Sequence, residues 1–356
     1  MNITVLGAGA WGTALSIALA HQHEVLIWGR DEHRMRTVKE QRVNEVYLPG
    51  VSFTKSLNVA LDFSVAAKHG CGAGGLIIIA SPVAGLRAVA SQLQPYEVSN
   101  VIWLCKGLEE DSGLLPHQIM HSILGTQVHA GALSGPSFAQ EVARGLPCAL
   151  TIASQSPSLC AQTVRAIHSD QIRVYSTDDV VGVEVGGAVK NILAIATGIS
   201  DGLELGLNAR AALITRGLAE ITRLGIALGG RAETFMGLAG VGDLILTCTG
   251  HLSRNRQVGI GLAQGKAWSN IEAELGHVAE GVRCIRAVQA LALQHNVEMP
   301  ITEAVAAILF GGEAPQYRVA QLLSRDAKGE LAGAKSKCNI FFKENVACQK
   351  NTPIYR

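Results

Sequence analysis

The stretch GAGAWG, Gly7 to Gly12, constrains this chain more than any other, because of what stands on either side of it. The apolar run ITVL precedes it, and AWGTALSIALA, with a helical repeat, follows it. At such a strand-turn-helix junction the first turn of the helix offers free N–H groups and a positive dipole end to an anion. Gly7 would permit the tight turn, Gly9 the close approach of a pyrophosphate, and Gly12 close packing of helix on strand. A second strand, HEVLIWGR, arrives about 20 residues on, the spacing of a dinucleotide-binding unit. The six residues alone would equally describe a turn of no function; their setting makes them a phosphate cradle.

The end of that second strand bears on which dinucleotide is held. An acidic side chain there hydrogen-bonds the ribose 2′-hydroxyl of NAD. Here the strand ends Trp28-Gly29-Arg30, with Asp31 just beyond. Arg30 can accept a 2′-phosphate, stack on adenine, or sit free on the surface. Asp31 keeps NAD(H) open, and the reading favours NADP(H) with NAD(H) tolerated.

Apolar runs and helical patterns continue to alternate through GLIIIAS, SPVAGLRAVASQL, NVIWLCKG, LLPHQIMHSIL, VHAGALSGPS and PCALTIAS. Such alternation implies an α/β fold built on a doubly wound, Rossmann-type parallel sheet. Ser81 is expected to cap the helix after GLIIIAS, with Pro82 in its first position. After about Tyr175 the period becomes helical throughout, in DDVVGVEVGGAVKNILAIATGI, NARAALITRGLAEITRLGIAL, IEAELGHVAEGVRCIRAVQALALQHN and ITEAVAAILF. The expected organisation is a dinucleotide-binding domain over 1–178, an all-helical substrate domain over 179–330 and an appendage over 331–356.

Composition closes off several other classes. A chain of 356 residues, 48% hydrophobic and 17% charged, is long enough for two domains and a large core. A net charge of +1 gives no global attraction to nucleic acid or an anionic membrane, so any small anion must be met by a local cluster. Eight scattered cysteines without a C-x-x-C point to free thiols and no metal site. The N-terminus lacks the basic segment of a secretory signal. Elsewhere no window of about 18 apolar residues stands out as a membrane span, and the expected location is the cytoplasm.

Charged residues in otherwise uncharged surroundings supply the candidate chemistry. Lys106 follows the strand NVIWLC, where open α/β sheets bind their ligands, although a lysine capping a strand edge is also common. Lys190 is the one charged residue between Val185 and Ser200. On a helix it shares a face with Gly187, Asn191 and Ala194, and burying an ammonium there requires a carboxylate or a ligand anion. Desolvation would also bring its pKa toward the range useful for proton transfer. Asp243, alone in GLAGVGDLILTCTG, is the expected partner. Ser253, Arg254, Asn255 and Arg256 open a helix and suit a phosphate or carboxylate. SGPSFAQEVARG, from Ser134, is a further junction that either lines the nicotinamide side of the crevice or simply caps a helix.

Taken together, these segments resemble the bacterial NAD(P)-dependent glycerol-3-phosphate dehydrogenase family. The resemblance runs through GAGAWGTAL, YLPG, CKGLE, LSGPSFA, VEVGGAVKNILAIATGISDGL, NARAALITRGLAE, FMGLAGVGDLILTCT, LSRNR and AEG, up to about residue 325. The last stretch does not resemble the family's usual ending. The resemblance implies that Ala10 and Trp11 hold the cofactor phosphates; the family often has serine where Ala10 stands, so one side-chain contact is absent. It implies that Arg30 discriminates the adenosine ribose, that Lys106 meets both cofactor and substrate, and that Gly135, Ser137 and Ala139 line the substrate and nicotinamide. Lys190 matches the proton donor and acceptor, and Asp243 its partner. Ser253, Arg254 and Asn255 match substrate-binding positions, with Arg254 also near the cofactor, and Val278 and Glu280 match further cofactor contacts. The implied reaction is reversible reduction of dihydroxyacetone phosphate to sn-glycerol 3-phosphate, for glycerophospholipid synthesis, by a homodimer. A related two-domain hydroxy-acid dehydrogenase would keep the architecture without needing this set of residues. A non-catalytic dinucleotide sensor would keep GAGAWG without needing Lys190.

Overall fold

The computed structural model describes residues 1–72, 74–276 and 279–324. One sheet is formed by β1 (Asn2–Leu6), β2 (Glu24–Trp28), β3 (Leu57–Ala60), β4 (Leu76–Ile79), β5 (Asn100–Trp103), β6 (His129–Ser134), β7 (Cys148–Ala153) and β8 (Ile172–Thr177). Their order is 3-2-1-4-5-6-7-8. A separate two-stranded ribbon pairs Val43–Asn44 with Leu48–Ser52.

The central strands are apolar on both sides because helices cover both faces. Leu76 and Ile78 of β4 enter one hydrophobic cluster with Ile3 and Val5, while Ile77 and Ile79 enter another with Leu6. This is why LIII shows no polar alternation. Strands β1 to β6 are parallel, as the alternating pattern predicts. The last two turn round: β7 runs antiparallel to β6, and β8 runs parallel to β7. The reason lies in the connection after Ser134, whose helix is only Ala139–Ala143. At about 1.5 Å per residue that helix is far too short to carry the chain back along a strand of about 20 Å.

Beyond Thr177 every described element is helical. The Val180–Gly202 helix, capped by Asp179 on the Gly182 N–H, runs through the middle of this half. Over its 23 residues it is long and apolar enough to span a bilayer by length and composition. This corrects the expectation that no such window exists. Gly182 to Ser200 are buried without exception, so the helix is apolar all round because protein surrounds it. Helices Gly206–Ala227, Asp243–Thr249, Arg254–Ala263 and Glu280–Gln294 pack around it. Its crossing with Arg254–Ala263 is closed by Gly198 and Gly259, where an added Cβ would fall 2.0 Å from the Arg256 and Ile195 carbonyl oxygens respectively.

Two local expectations change. Ser81 does not cap its helix: the chain is still extended at Pro82, which takes the capping position, and the helix runs Val83–Leu93. Among the described residues the Ser81 hydroxyl, buried, has no hydrogen-bond partner. The long pattern IEAELGHVAEGVRCIRAVQALALQHN is two helices, Trp268–Leu275 and Glu280–Gln294, because Gly276 ends the first in a left-handed conformation. The expected appendage 331–356 lies outside the described residues.

Candidate active site

The sheet order brings β1 and β4 together at the point where the strand sequence reverses, and the crevice of a doubly wound sheet opens there. Gly7 sits at the end of β1 with φ +130, its N–H donating to the Trp28 carbonyl at 2.8 Å. A Cβ on Gly7 would fall 2.6 Å from the Ala80 carbonyl carbon, and one on Gly12 would fall 2.1 Å from the Gly7 oxygen. These two glycines are required by the turn and by the helix packed against it. Gly9 differs: it caps the helix Ala10–Leu19, and a Cβ there would meet nothing within 4 Å. The cradle therefore has the shape a pyrophosphate needs, tight beneath and open above the helix start that Ala10 and Trp11 begin. The residues fit a dinucleotide.

A residue the sequence reading missed holds this loop. Asn44, on the small ribbon and 1% exposed, donates through Nδ2 to the Ala8 carbonyl and to Thr13 Oγ1, both at 2.9 Å. Arg30 is exposed just past β2. Asp31 is committed to the next helix, accepting the Arg34 N–H at 3.0 Å. At the end of β2, then, the acidic group is occupied as a cap, while the exposed guanidinium has no ion-pair partner among the described residues.

The second group of residues converges on Asp243. Its Oδ2 lies 2.6 Å from Lys106 Nζ, and its Oδ1 lies 2.5 Å from Lys190 Nζ. Lys106 arrives from the sheet end after β5, Lys190 from the central helix, and Asp243 from the start of its own helix. Lys106 Nζ also donates to the Gly135 carbonyl at 3.2 Å, which in turn accepts from Ser137 Oγ at 3.1 Å. Lys190 Nζ donates to Thr247 Oγ1 at 2.9 Å. Lys190 is 5% exposed and Asp243 2%. Burial, only partly offset by the Asp243 charge and reinforced by the neighbouring Lys106 ammonium, pulls the Lys190 pKa down to about 8. For Asp243 burial acts upward, but the two ammoniums outweigh it and hold the carboxyl below its usual range. Two cations share one carboxylate, leaving the cluster with a net positive charge suited to a developing oxyanion.

The remaining candidates border this cluster in different ways. Asn255 is buried and ties helices together, donating from Nδ2 to Asn191 Oδ1 at 3.0 Å and accepting the Gly281 N–H at 3.1 Å. Ser253 Oγ caps its helix by accepting the Arg256 N–H at 3.3 Å. Arg254 is exposed, and its charge is felt by Glu280, whose carboxyl is pushed up by burial against the pull of Arg254, Lys106 and Lys190. Arg256 is not a second anion ligand: its guanidinium is held by Asp201 at 2.7 Å, with Arg210 on the same oxygen at 3.1 Å. The helix that Ala139 begins packs against Ala10–Leu19. Val278 lies outside the described residues.

Thr247 was also missed, and Asn191 was named only as a neighbour of Lys190 on its helix face. Thr247 stands four residues after Asp243, a helical spacing that was a usable signal. Asn191 shares its helix face with Gly187, the face that drew attention to Lys190. Nothing in the sequence near Asn44 points to the loop it holds.

Comparison with known proteins finds relatives that match both halves of the chain. Residues 2–160 match the model of the NAD-dependent glycerol-3-phosphate dehydrogenase N-terminus, and residues 179–320 match that of the C-terminus. A glycerol-3-phosphate dehydrogenase [NAD(P)+] of Janthinobacterium sp. (strain Marseille) is 65% identical over 332 residues, 93% of this chain and 100% of the relative. That of Paucimonas lemoignei is 65% identical, covering 94% of this chain and 100% of the relative. The crystal structure of glycerol-3-phosphate dehydrogenase from Coxiella burnetii superposes with a TM-score of 0.86 at 41% identity, over 91% of this chain and 98% of the other. The chain belongs to the NAD-dependent glycerol-3-phosphate dehydrogenase family.

Proposed function

We propose that Lys190 is the proton donor and acceptor of a reversible, NAD(P)H-dependent reduction of dihydroxyacetone phosphate to sn-glycerol 3-phosphate. The observation that carries this reading is the Asp243 carboxylate held between the Nζ atoms of Lys106 and Lys190. Family membership makes the chain an NAD(P)-dependent oxidoreductase. When bound, the nicotinamide supplies the hydride taken up by the carbonyl carbon. The Lys190 ammonium gives its proton to the carbonyl oxygen as that oxygen turns into a hydroxyl, and Lys106 stabilises the charge on the same atom. Asp243 keeps Lys190 aimed and charged. Arg254, exposed at its helix start, takes the substrate phosphate, while Asn255 fixes that start relative to Asn191 and the neighbouring Lys190.

Residues 1–178 serve the dinucleotide and 179–330 the substrate, with Gly7, Gly9, Gly12, Ala10 and Trp11 at the phosphates. Arg30 meets the adenosine ribose, which favours NADP(H) over NAD(H), and Glu280 contributes near the nicotinamide end. Supply of sn-glycerol 3-phosphate to glycerophospholipid synthesis in the cytoplasm is the role consistent with this reaction. Association as a homodimer is part of the same reading.

The test is to follow oxidation of NADPH and of NADH with dihydroxyacetone phosphate, beside a set of keto acids. Turnover of the phosphate substrate is expected, and it is to vanish in Lys190→Ala while dinucleotide affinity persists. Turnover of keto acids alone would move the chain to a hydroxy-acid dehydrogenase. Dinucleotide binding without oxidation would make it a sensor.

A further inference from the structure

Glu184 is a buried carboxylate that the proposed chemistry does not use. It lies on the central helix at 5% exposure, yet its partners come from the sheet-bearing half. Its Oε1 accepts from Trp103 Nε1 and from the His117 N–H, both at 2.9 Å, and its Oε2 lies 2.5 Å from His117 Nδ1. Trp103, 1% exposed, ends β5 and stands three residues before Lys106. His117 is the second residue of the helix Pro116–Leu124.

A second contact follows one turn along the same helix. A Cβ on Gly187 would fall 3.3 Å from Lys106 Cγ, so the Lys106 stem lies directly on the helix at that position. Residues three apart share a helix face. The segment Trp103 to Lys106 is thus laid along the central helix at two points, Trp103 on Glu184 and Lys106 on Gly187. Lys190 occupies the next turn. Packing alone does not require a carboxylate here, since apolar residues fill buried sites at lower cost. What a carboxylate adds is direction, because it accepts only from donors placed to meet it.

We propose that Glu184 is a positioning residue for the reaction: by fixing Trp103 and His117 it sets where Lys106 crosses the helix, and so where its Nζ meets Asp243. The inference rests on the reading of Lys106 as a substrate-facing ammonium, so Lys106→Met is assayed alongside.

The experiment compares Glu184→Gln, Glu184→Ala and Trp103→Phe in the full chain, measuring kcat and the KM values for NADPH and dihydroxyacetone phosphate. Glu184→Ala is expected to lower kcat about 100-fold, the loss that a displacement of about 1 Å causes, with KM for NADPH unchanged. Glu184→Gln keeps an oxygen for Trp103 and the His117 N–H and can donate to Nδ1, so it is expected to recover most of kcat. Trp103→Phe, which removes the indole N–H with the five-membered ring that bears it and leaves a smaller aromatic side chain, is expected to lower kcat about 10-fold. A folded Glu184→Ala with normal kcat overturns the inference, as does a Glu184→Gln as impaired as Glu184→Ala. Loss of kcat in step with NADPH affinity also overturns it. Should Glu184→Ala fail to fold, Trp103→Phe decides: unchanged kcat overturns the inference, and lowered kcat at normal NADPH KM supports it. Normal turnover in Lys106→Met would sink the reading of the site and this inference with it, whereas a silent Glu184→Ala in an enzyme that needs Lys106 sinks the inference alone.

Discussion

Lys190 Nζ and Asp243 Oδ1 meet at 2.5 Å in the interior, and burial still brings the ammonium's pKa to about 8. The charged form is present below that value and lost above it. Reduction needs the ammonium, so its kcat is expected to be flat at lower pH and to fall as pH passes about 8. Oxidation of glycerol 3-phosphate needs the free amine and is expected to rise through the same region. Lys106 opposes the Lys190 charge and Asp243 favours it. The limb should therefore move to higher pH in Lys106→Met and to lower pH in Asp243→Asn, which pH–rate profiles in both directions will check.

Removing the carboxylate has a structural cost as well. Asp243→Asn leaves two ammoniums facing a neutral amide, and loss of one partner of a buried ion pair costs about 3–5 kcal/mol. Lys106→Met/Lys190→Met/Asp243→Leu removes all three charges together and is expected to regain most of that stability while remaining inactive. Urea unfolding of the three proteins at pH 7 separates the two effects; equal stability in all would mean the pair is not buried in solution.

Asn44 offers a test of the cradle apart from the lysines. Asn44→Ala deletes the two hydrogen bonds to Ala8 and Thr13. At about 1 kcal/mol for each net hydrogen bond, KM for NADPH should rise roughly 10-fold or more, with kcat nearly unchanged. A fall in kcat at constant KM would contradict this assignment.

Cofactor choice is expected to depend on Arg30. With Asp31 held as a helix cap, Arg30→Ala should weaken NADPH about 10- to 100-fold, the value of one or two charge-assisted hydrogen bonds. NADH, which lacks the 2′-phosphate, should change little. Steady-state KM values for the two cofactors are the measurement, and parallel losses would count against a 2′-phosphate contact.

Glu220 gives the helical half a pH dependence of its own. It is 1% exposed and accepts the Ile301 N–H at 2.7 Å, with the Thr302 N–H and hydroxyl at 3.3 and 3.2 Å. Burial pushes its pKa from 4.5 to about 7 despite these bonds. A carboxyl with a raised folded pKa binds its proton more tightly when folded, so stability falls as pH rises from about 4.5 to about 7. The whole effect is on the order of 3 kcal/mol. Glu220→Gln should gain on the parent protein by that amount between pH 5 and pH 8, and a constant difference across that range would exclude the coupling.

Much of the site is legible in the sequence because its members are charges in uncharged surroundings. Lys190 and Asp243 stand out in VGGAVKNILAIATGIS and GLAGVGDLILTCTG for a physical reason: apolar helices do not bury lone charges. GAGAWG is legible because its setting, more than its glycines, defines the turn. The positions of Asn44 and Glu184 are not legible, since each acts on residues 31 to 81 positions away that only the fold brings near. Arg256 misled for the opposite reason: its partner Asp201 is remote in sequence, so it reads as a free cation beside Arg254. The reversal of β7 and β8 is hidden because a strand's composition does not record its direction; only the shortness of Ala139–Ala143 hints at it.

The Val180–Gly202 helix also bears on how the chain is made. It carries Glu184 and Lys190, is apolar enough to pass for a bilayer span, and is wrapped by helices that end as late as Gly311. During synthesis it leaves the ribosome roughly 110 residues before its last neighbour is complete, which at about 5–20 residues per second is several seconds or more. For that interval the hydrophobic rod lacks part of its wall, and until residue 243 is made its Lys190 lacks a carboxylate. The same burial that tunes the lysine means that the second half of the molecule cannot close around this helix until its last helices are made.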